Sequence, residues 1–230
     1  MTPLVLLPGM MCDGRLFGPQ IAAIGLNRAV HLAPISGHET VEALAAEVLA
    51  NAPPRFALAG LSMGGIVAME VIRQAPERVE RLALLDTNPR AELPEAQARR
   101  GPQMEKVKAG GLRQVMRDEL KPNYLIDGPR KPAILDTCMA MATDLGPEVF
   151  LRQSIALRDR PDQQDTLRAV RVPTLILMGA EDRLCPRDRH DLMHSLIPGS
   201  RLEIVEDAAH MPTLEQPDKT TAALIRWLED

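Results

Sequence analysis

Phe56-Ala57-Leu58-Ala59-Gly60-Leu61-Ser62-Met63-Gly64-Gly65-Ile66-Val67-Ala68-Met69 passes from an apolar run of strand formers, through a glycine-flanked serine, into an alanine-containing apolar helix pattern. It reads as strand, sharp turn, helix. A serine on so tight a turn has backbone close on both sides, so the geometry needs glycine at positions 60 and 64. The Gly-x-Ser-x-Gly spacing is that of a nucleophile elbow, which presents a hydroxyl at a strand's carboxyl end beside a helix N-terminus. A plainer reading is also open: the glycines make a tight junction and Ser62 caps the helix.

Working outward, Leu4–Leu7 is a short apolar run closed by Pro8-Gly9, and Ala29–Ala33 is another, stopped by Pro34. Val79–Asp86, Val172–Met178 and Arg201–Val205 complete six candidate strands. Between them, Val41, Leu44, Ala45 and Val48 recur at helical spacing behind the possible cap Thr40, and residues 217–229 form a last helix. Continuous apolar strands alternating with helices predict an α/β fold, a mostly parallel six-stranded sheet with helices on both faces. Residues 88–168 break this rhythm with charged, methionine-containing helical stretches, interrupted among others by Pro94, Pro102, Gly110-Gly111, Pro122 and Pro161. Three or four helices are expected there, inserted as a lid before the last two strands, with 1–87 and 169–230 forming the core. Within the insertion Ile134, Leu135, Cys138, Met141, Ala142 and Leu145 share one helix face, which requires an apolar partner beneath it.

Composition narrows the class. A net charge of −4 without a basic stripe argues against a nucleic-acid partner. Cys12, Cys138 and Cys185 are odd in number and far apart, which suits a reducing compartment and neither a disulfide framework nor a zinc site. The first residues lack a basic segment, and their apolar run is too short for a signal peptide or a membrane span. A core strand, a cytoplasmic protein and no membrane partner are the expectations. His190 and His194 stand at i, i+4 as in a helical zinc motif but lack a third ligand, so a solvated helix face is expected and no metal is assigned. With only 2% aromatic residues, the core must be built of Leu, Ile, Val, Ala and Met.

A serine hydroxyl is a weak nucleophile at neutral pH and needs a base, most often a histidine oriented by a carboxylate. Of five histidines, His210 alone follows a late strand in a polar loop. Asp182, with Glu181 adjacent, follows the fifth strand and is the natural carboxylate; Asp86, after the fourth, is the reserve. Ligands on parallel sheets bind outside the carboxyl ends of the strands, where Gly9-Met10, Ser62, Asp86, Asp182 and His210 all fall in this reading.

The chain order Ser62, Asp182, His210 is joined by Leu6-Leu7-Pro8-Gly9-Met10, Gly60-Leu61-Ser62-Met63-Gly64-Gly65, Gly179-Ala180-Glu181-Asp182 and Ala209-His210-Met211-Pro212-Thr213-Leu214-Glu215-Gln216-Pro217. Together these resemble the α/β-hydrolase superfamily, in its small lidded serine esterase branch, across essentially the whole chain. The resemblance implies a carboxylic ester hydrolase acting on a small-molecule ester or lactone through an acyl-enzyme on Ser62, with His210 as base then acid and Asp182 as its orienter. It also implies an oxyanion hole from the backbone N–H groups of Met10 and Met63, and no cofactor. Carbon–carbon or thioester hydrolysis by the same triad, and a non-catalytic ligand receptor on this fold, are the alternatives. Family members usually have His-Gly at Pro8-Gly9, Gly-His at Ala209-His210 and two further strands before the first one here, so a trimmed sheet with the second strand at an exposed edge is expected. Met11, Tyr124, Cys138, Met141 and Met211 flank the elbow, the histidine or the apolar insertion face and are the candidate substrate pocket, a lining able to adapt to several acyl lengths. Ten bases against six acids between residues 90 and 131 offer a surface for an acidic carrier protein, or simply a solvated helix face.

Overall fold

Six parallel strands run side by side in the computed structural model, which describes all 230 residues. They are β1 (Leu4–Leu7), β2 (Val30–Leu32), β3 (Phe56–Leu61), β4 (Val79–Leu85), β5 (Thr174–Gly179) and β6 (Arg201–Val205), in the order β2-β1-β3-β4-β5-β6. Successive side chains of a strand point to opposite faces, and the continuous apolar runs serve both. Leu4 pairs with Ala57 and Leu6 with Ala59. With Ala83, Leu85, Leu175 and Leu177 they join one buried cluster with residues of α1 (Gly18–Ile24) and α10 (Pro217–Glu229). Their alternates Val5, Leu7, Leu58, Leu82, Leu84 and Ile176 pack with α2 (Val41–Asn51) and α3 (Met63–Gln74). The short β2 lies at one edge and is half exposed, as expected for a trimmed sheet.

Local signals account for several helix starts. The Thr40 hydroxyl accepts the Ala43 N–H and caps α2. Proline stands in the first turn of α1 and α10, where its missing N–H is no loss.

The insertion between β4 and β5 breaks or turns at most of its prolines and glycines. It contains α4 (Pro94–Lys108), the single turn α5 (Leu112–Gln114), a π-helical stretch Val115–Leu120, a 3₁₀ turn Lys121–Asn123, α6 (Lys131–Arg158) and α7 (Gln164–Ala169). Pro102 lies inside α4 without ending it. Gly146-Pro147 breaks α6 only locally: Gly146 takes φ 80°, open to glycine without steric cost, and Pro147 starts the second half. The insertion has its own small core, including Met104, Val107, Val115 and Phe150. After it come α8 (Arg187–Leu196) and α9 (Pro212–Glu215). No helix is long and apolar enough to cross a membrane.

Candidate active site

Ser62 joins β3 to α3 at φ 55°, ψ −115°, a conformation that costs a non-glycine residue about 1–3 kcal/mol. Its neighbours hold it there. The Ser62 N–H donates to the Leu85 carbonyl at 2.9 Å, while its own carbonyl accepts the Thr87 hydroxyl at 2.7 Å and the N–H groups of Gly65 and Ile66. A Cβ at position 60 would lie 2.2 Å from the Gly64 carbonyl oxygen, and one at position 64 would lie 2.1 Å from the Leu7 oxygen. Both contacts are with backbone, so both positions require glycine. The strain turns Ser62 away from capping: its side chain makes no bond to the helix, and Oγ lies 2.9 Å from His210 Nε2.

His210 Nδ1 lies 2.9 Å from Asp182 Oδ2, and the other Asp182 oxygen accepts the N–H groups of Leu184 at 2.8 Å and Cys185 at 3.1 Å. Burial alone would raise the Asp182 carboxyl, but the charge of His210, its hydrogen bond and those two N–H groups outweigh burial and hold it below its ordinary value. An ionised Asp182 only accepts, so the network assigns the proton to Nδ1 and leaves Nε2 free to accept from the Ser62 hydroxyl. Asp86, the reserve acid, is engaged elsewhere: its Oδ1 accepts the Gly179 N–H at 2.8 Å.

Of the two expected oxyanion donors, Met63 directly follows Ser62 and Met10 directly follows Gly9. Met63 opens α3, where an N–H has no intrahelical acceptor, and neither it nor the Met10 N–H donates a hydrogen bond within the protein. Gly9 lies directly beside the serine, with a Cβ built there 3.6 Å from Ser62 Cβ. Sequence reasoning missed the residue that fixes this loop. Gln153 of α6, fully buried, accepts the Met11 N–H at 2.8 Å and donates to the Ile35 carbonyl at 2.9 Å.

Glu215 was also missed as a functional residue, although it stands in the motif around His210. One of its oxygens accepts the N–H groups of Ala209 and Met211 at 2.9 and 3.1 Å, on either side of His210, and the other accepts Ile126 N–H at 2.9 Å. Burial raises this carboxyl, and the three N–H bonds oppose the rise. The His210 N–H itself donates to the Tyr124 carbonyl at 3.0 Å, and the two rings stand 5.8 Å apart. The insertion is thus bonded to the histidine loop.

Of the five candidate pocket residues, Tyr124, Cys138, Met141 and Met211 fall in one buried cluster, with Cys138 Sγ 3.3 Å from Met211 Sδ. Met11 departs from them and packs in the insertion's own core. The paired histidines also depart from expectation. His190 is completely buried rather than solvated, burial lowers its pKa to about 4, and it is neutral; His194 bonds Ser200 Oγ at 2.9 Å instead. Met193, three positions along α8 and on the same face, explains the burial: the helix turns this stripe toward the sheet. Ligand atoms of Asp182, Cys185 and His210 lie within 4.8 Å of one another, but burial, with the charge of Asp182, drives the Cys185 thiol well up and leaves it a neutral neighbour.

The model of the alpha/beta hydrolase family matches residues 4–224. A curated relative, the pimeloyl-[acyl-carrier protein] methyl ester esterase of Salmonella newport (strain SL254), is 28% identical over 240 residues, covering 96% of this chain and 92% of the relative. A solved thermophilic esterase from Thermogutta terrifontis, malate bound, is similar over 100% of this chain and 90% of that one, at a TM-score of 0.91 and 28% identity. The enol-lactonase from Burkholderia xenovorans LB400 shares the fold at a TM-score of 0.89 and 24% identity, over 100% and 92% of the two chains. With the parallel sheet, the strained serine turn and the family match across nearly its full length, this chain belongs to the α/β-hydrolase family, as an esterase-type member.

Proposed function

We propose that this carboxylic ester hydrolase works through an acyl-enzyme on Ser62, activated by His210 and Asp182. The observation that carries this reading is the continuous line of 2.9 Å contacts from Ser62 Oγ through the imidazole to Asp182. Ser62 Oγ attacks the ester carbonyl carbon as its proton passes to His210 Nε2. The Met10 and Met63 N–H groups receive the oxyanion, donors worth roughly 10²–10³ each in rate. The tetrahedral intermediate collapses, the C–O bond to the alcohol breaks, and the departing oxygen takes the proton from His210. Water then attacks the acyl carbon, giving a proton to His210, which returns it to Ser62 as the acid leaves. A lactone follows the same course, its alcohol remaining tethered to the acyl group.

The insertion acts as the lid of this site, and Tyr124, Cys138, Met141 and Met211 line the acyl pocket beneath it. Methionine is unbranched and adapts its shape, so a broad optimum over short to medium acyl chains is expected from p-nitrophenyl esters running from acetate to decanoate. Met141→Trp should shorten the longest chain accepted. One sharp optimum that this substitution leaves unmoved would remove Met141 from the pocket. Lactones and thioesters in the same panel separate the alternative leaving groups.

A carrier-borne acyl group is a second reading, supported by the printed name of the Salmonella relative. The basic surface is weaker than its count suggests, because Arg90, Arg100, Lys106, Lys108, Arg117 and Lys131 already stand against acids. Arg113 has no acidic partner and lines a groove of about 400 Å³ with Arg117, Lys121 and Lys131. If a carrier docks there, Arg113→Glu should lower kcat/KM about tenfold for a carrier-linked ester, more at low salt, and leave a free methyl ester unaffected. Equal effects on both substrates would dismiss the carrier.

A further inference from the structure

A second acid lies beside the catalytic line and takes no part in the mechanism above. Asp86, just past the end of β4, is completely buried and takes φ 44°. Its Oδ1 accepts the Gly179 N–H at 2.8 Å, and the Gly179 carbonyl accepts the Asp182 N–H at 3.1 Å. One residue therefore anchors both acids, and it brings the two buried side chains to the same end of the sheet. The remaining Asp86 oxygen, Oδ2, is buried with no donor aimed at it.

Two buried carboxylates tied to one residue repel each other, and a proton on one of the pair relieves that repulsion. Asp182 is the poorer host, since both its oxygens already accept, one from the Leu184 and Cys185 N–H groups and the other from His210. A proton on Asp86 Oδ2 converts an orphaned atom into a donor and leaves Oδ1 free to accept from Gly179. Resting on the roles assigned above to Ser62, His210 and Asp182, we propose that Asp86 is a positioning residue, a neutral carboxylic acid whose Oδ2–H donates to Asp182 and holds it as an ionised acceptor for His210.

The surroundings favour the neutral form. The titratable groups facing Asp86 are Asp182, Glu215 and the Cys185 thiol, all of them acidic. Burial first, and then the charge of Asp182, push the Asp86 carboxyl well above its ordinary value, opposed by the Gly179 N–H. A donor from Asp86 replaces part of the hydration that Asp182 loses in the interior. Without it Asp182 becomes more basic and holds the His210 proton more tightly.

Asparagine and alanine separate this role from a structural one. Asparagine tolerates the left-handed backbone, and its carboxamide reproduces both bonds, accepting from Gly179 and donating to Asp182. Asp86→Ala should lower kcat about tenfold or more, the size of one hydrogen bond to a charged group, with KM little changed, and should move the acid limb of the kcat/KM profile to higher pH. Asp86→Asn should restore most of that kcat and return the limb to its wild-type position. Infrared spectra at neutral pH should contain a protonated carboxyl C=O band that Asp86→Asn removes. Three results would each overturn the proposal: an acid limb displaced to lower pH in Asp86→Asn, which would mean that a negative charge had been removed; wild-type kcat and profile in Asp86→Ala; or no such band in the wild type. Hydrolysis surviving in Ser62→Ala would instead contradict the proposed mechanism, while the infrared band reports on Asp86 independently.

Discussion

Ser62→Ala is expected to lose on the order of 10⁶ in kcat toward p-nitrophenyl esters while keeping the fold, because nucleophile and base act as a unit. The Ser62 side chain has one partner, His210 Nε2, and makes no helix cap, so its removal withdraws chemistry and little packing. The strained turn is held by the Leu85 carbonyl, the Thr87 hydroxyl and the two glycines, all of which the variant retains. Steady-state kinetics with a melting curve checks both halves. Turnover within tenfold of the wild type would remove Ser62 from the mechanism.

The next largest effect belongs to Asp182. Asp182→Asn should cost about 10⁴ in kcat: its amide can present an N–H to His210 Nδ1, favouring the tautomer in which Nε2 is protonated and cannot take the serine proton. The KM should change little, since Asp182 is buried behind the imidazole rather than lining the pocket. Asp86→Asn in parallel should cost far less. The reverse ranking would transfer the acid to Asp86, and the two variants measured together decide between the carboxyls.

Much of the frame was legible because it depends on local pattern. Continuous apolar runs announced two-faced strands, and the Gly60 and Gly64 spacing announced a turn that no larger residue can enter, which the 2.2 and 2.1 Å approaches to backbone oxygens explain. The proline-rich insertion was harder to read. Pro102 looked like a helix end, yet α4 continues past it, whereas Gly146-Pro147 does divide α6 into two halves. Residues whose roles depend on distant partners left no local signal. Gln153 looks like any polar residue of an amphipathic helix, but it steadies a loop 142 positions earlier in the chain. Glu215 stood in a recognised motif without a visible task, because its bond to Ile126 spans 89 positions. His190 was expected on a solvated helix face, whereas helical geometry turns its side chain inward. Asp182 and Asp86 were both visible as candidates, but only their three-dimensional arrangement around Gly179 suggests separate tasks for them.

The central claim is a covalent acyl-enzyme on Ser62, and a fluorophosphonate tests it directly by phosphonylating an activated serine and stopping there. After incubation of the intact protein at neutral pH, mass spectrometry should find one adduct per chain, located by peptide mapping on the segment containing Ser62. The adduct should be absent from Ser62→Ala and strongly slowed in His210→Ala. Labelling of wild type and Ser62→Ala to the same extent, or an adduct mapped to any other residue with Ser62 unmodified, would contradict the account.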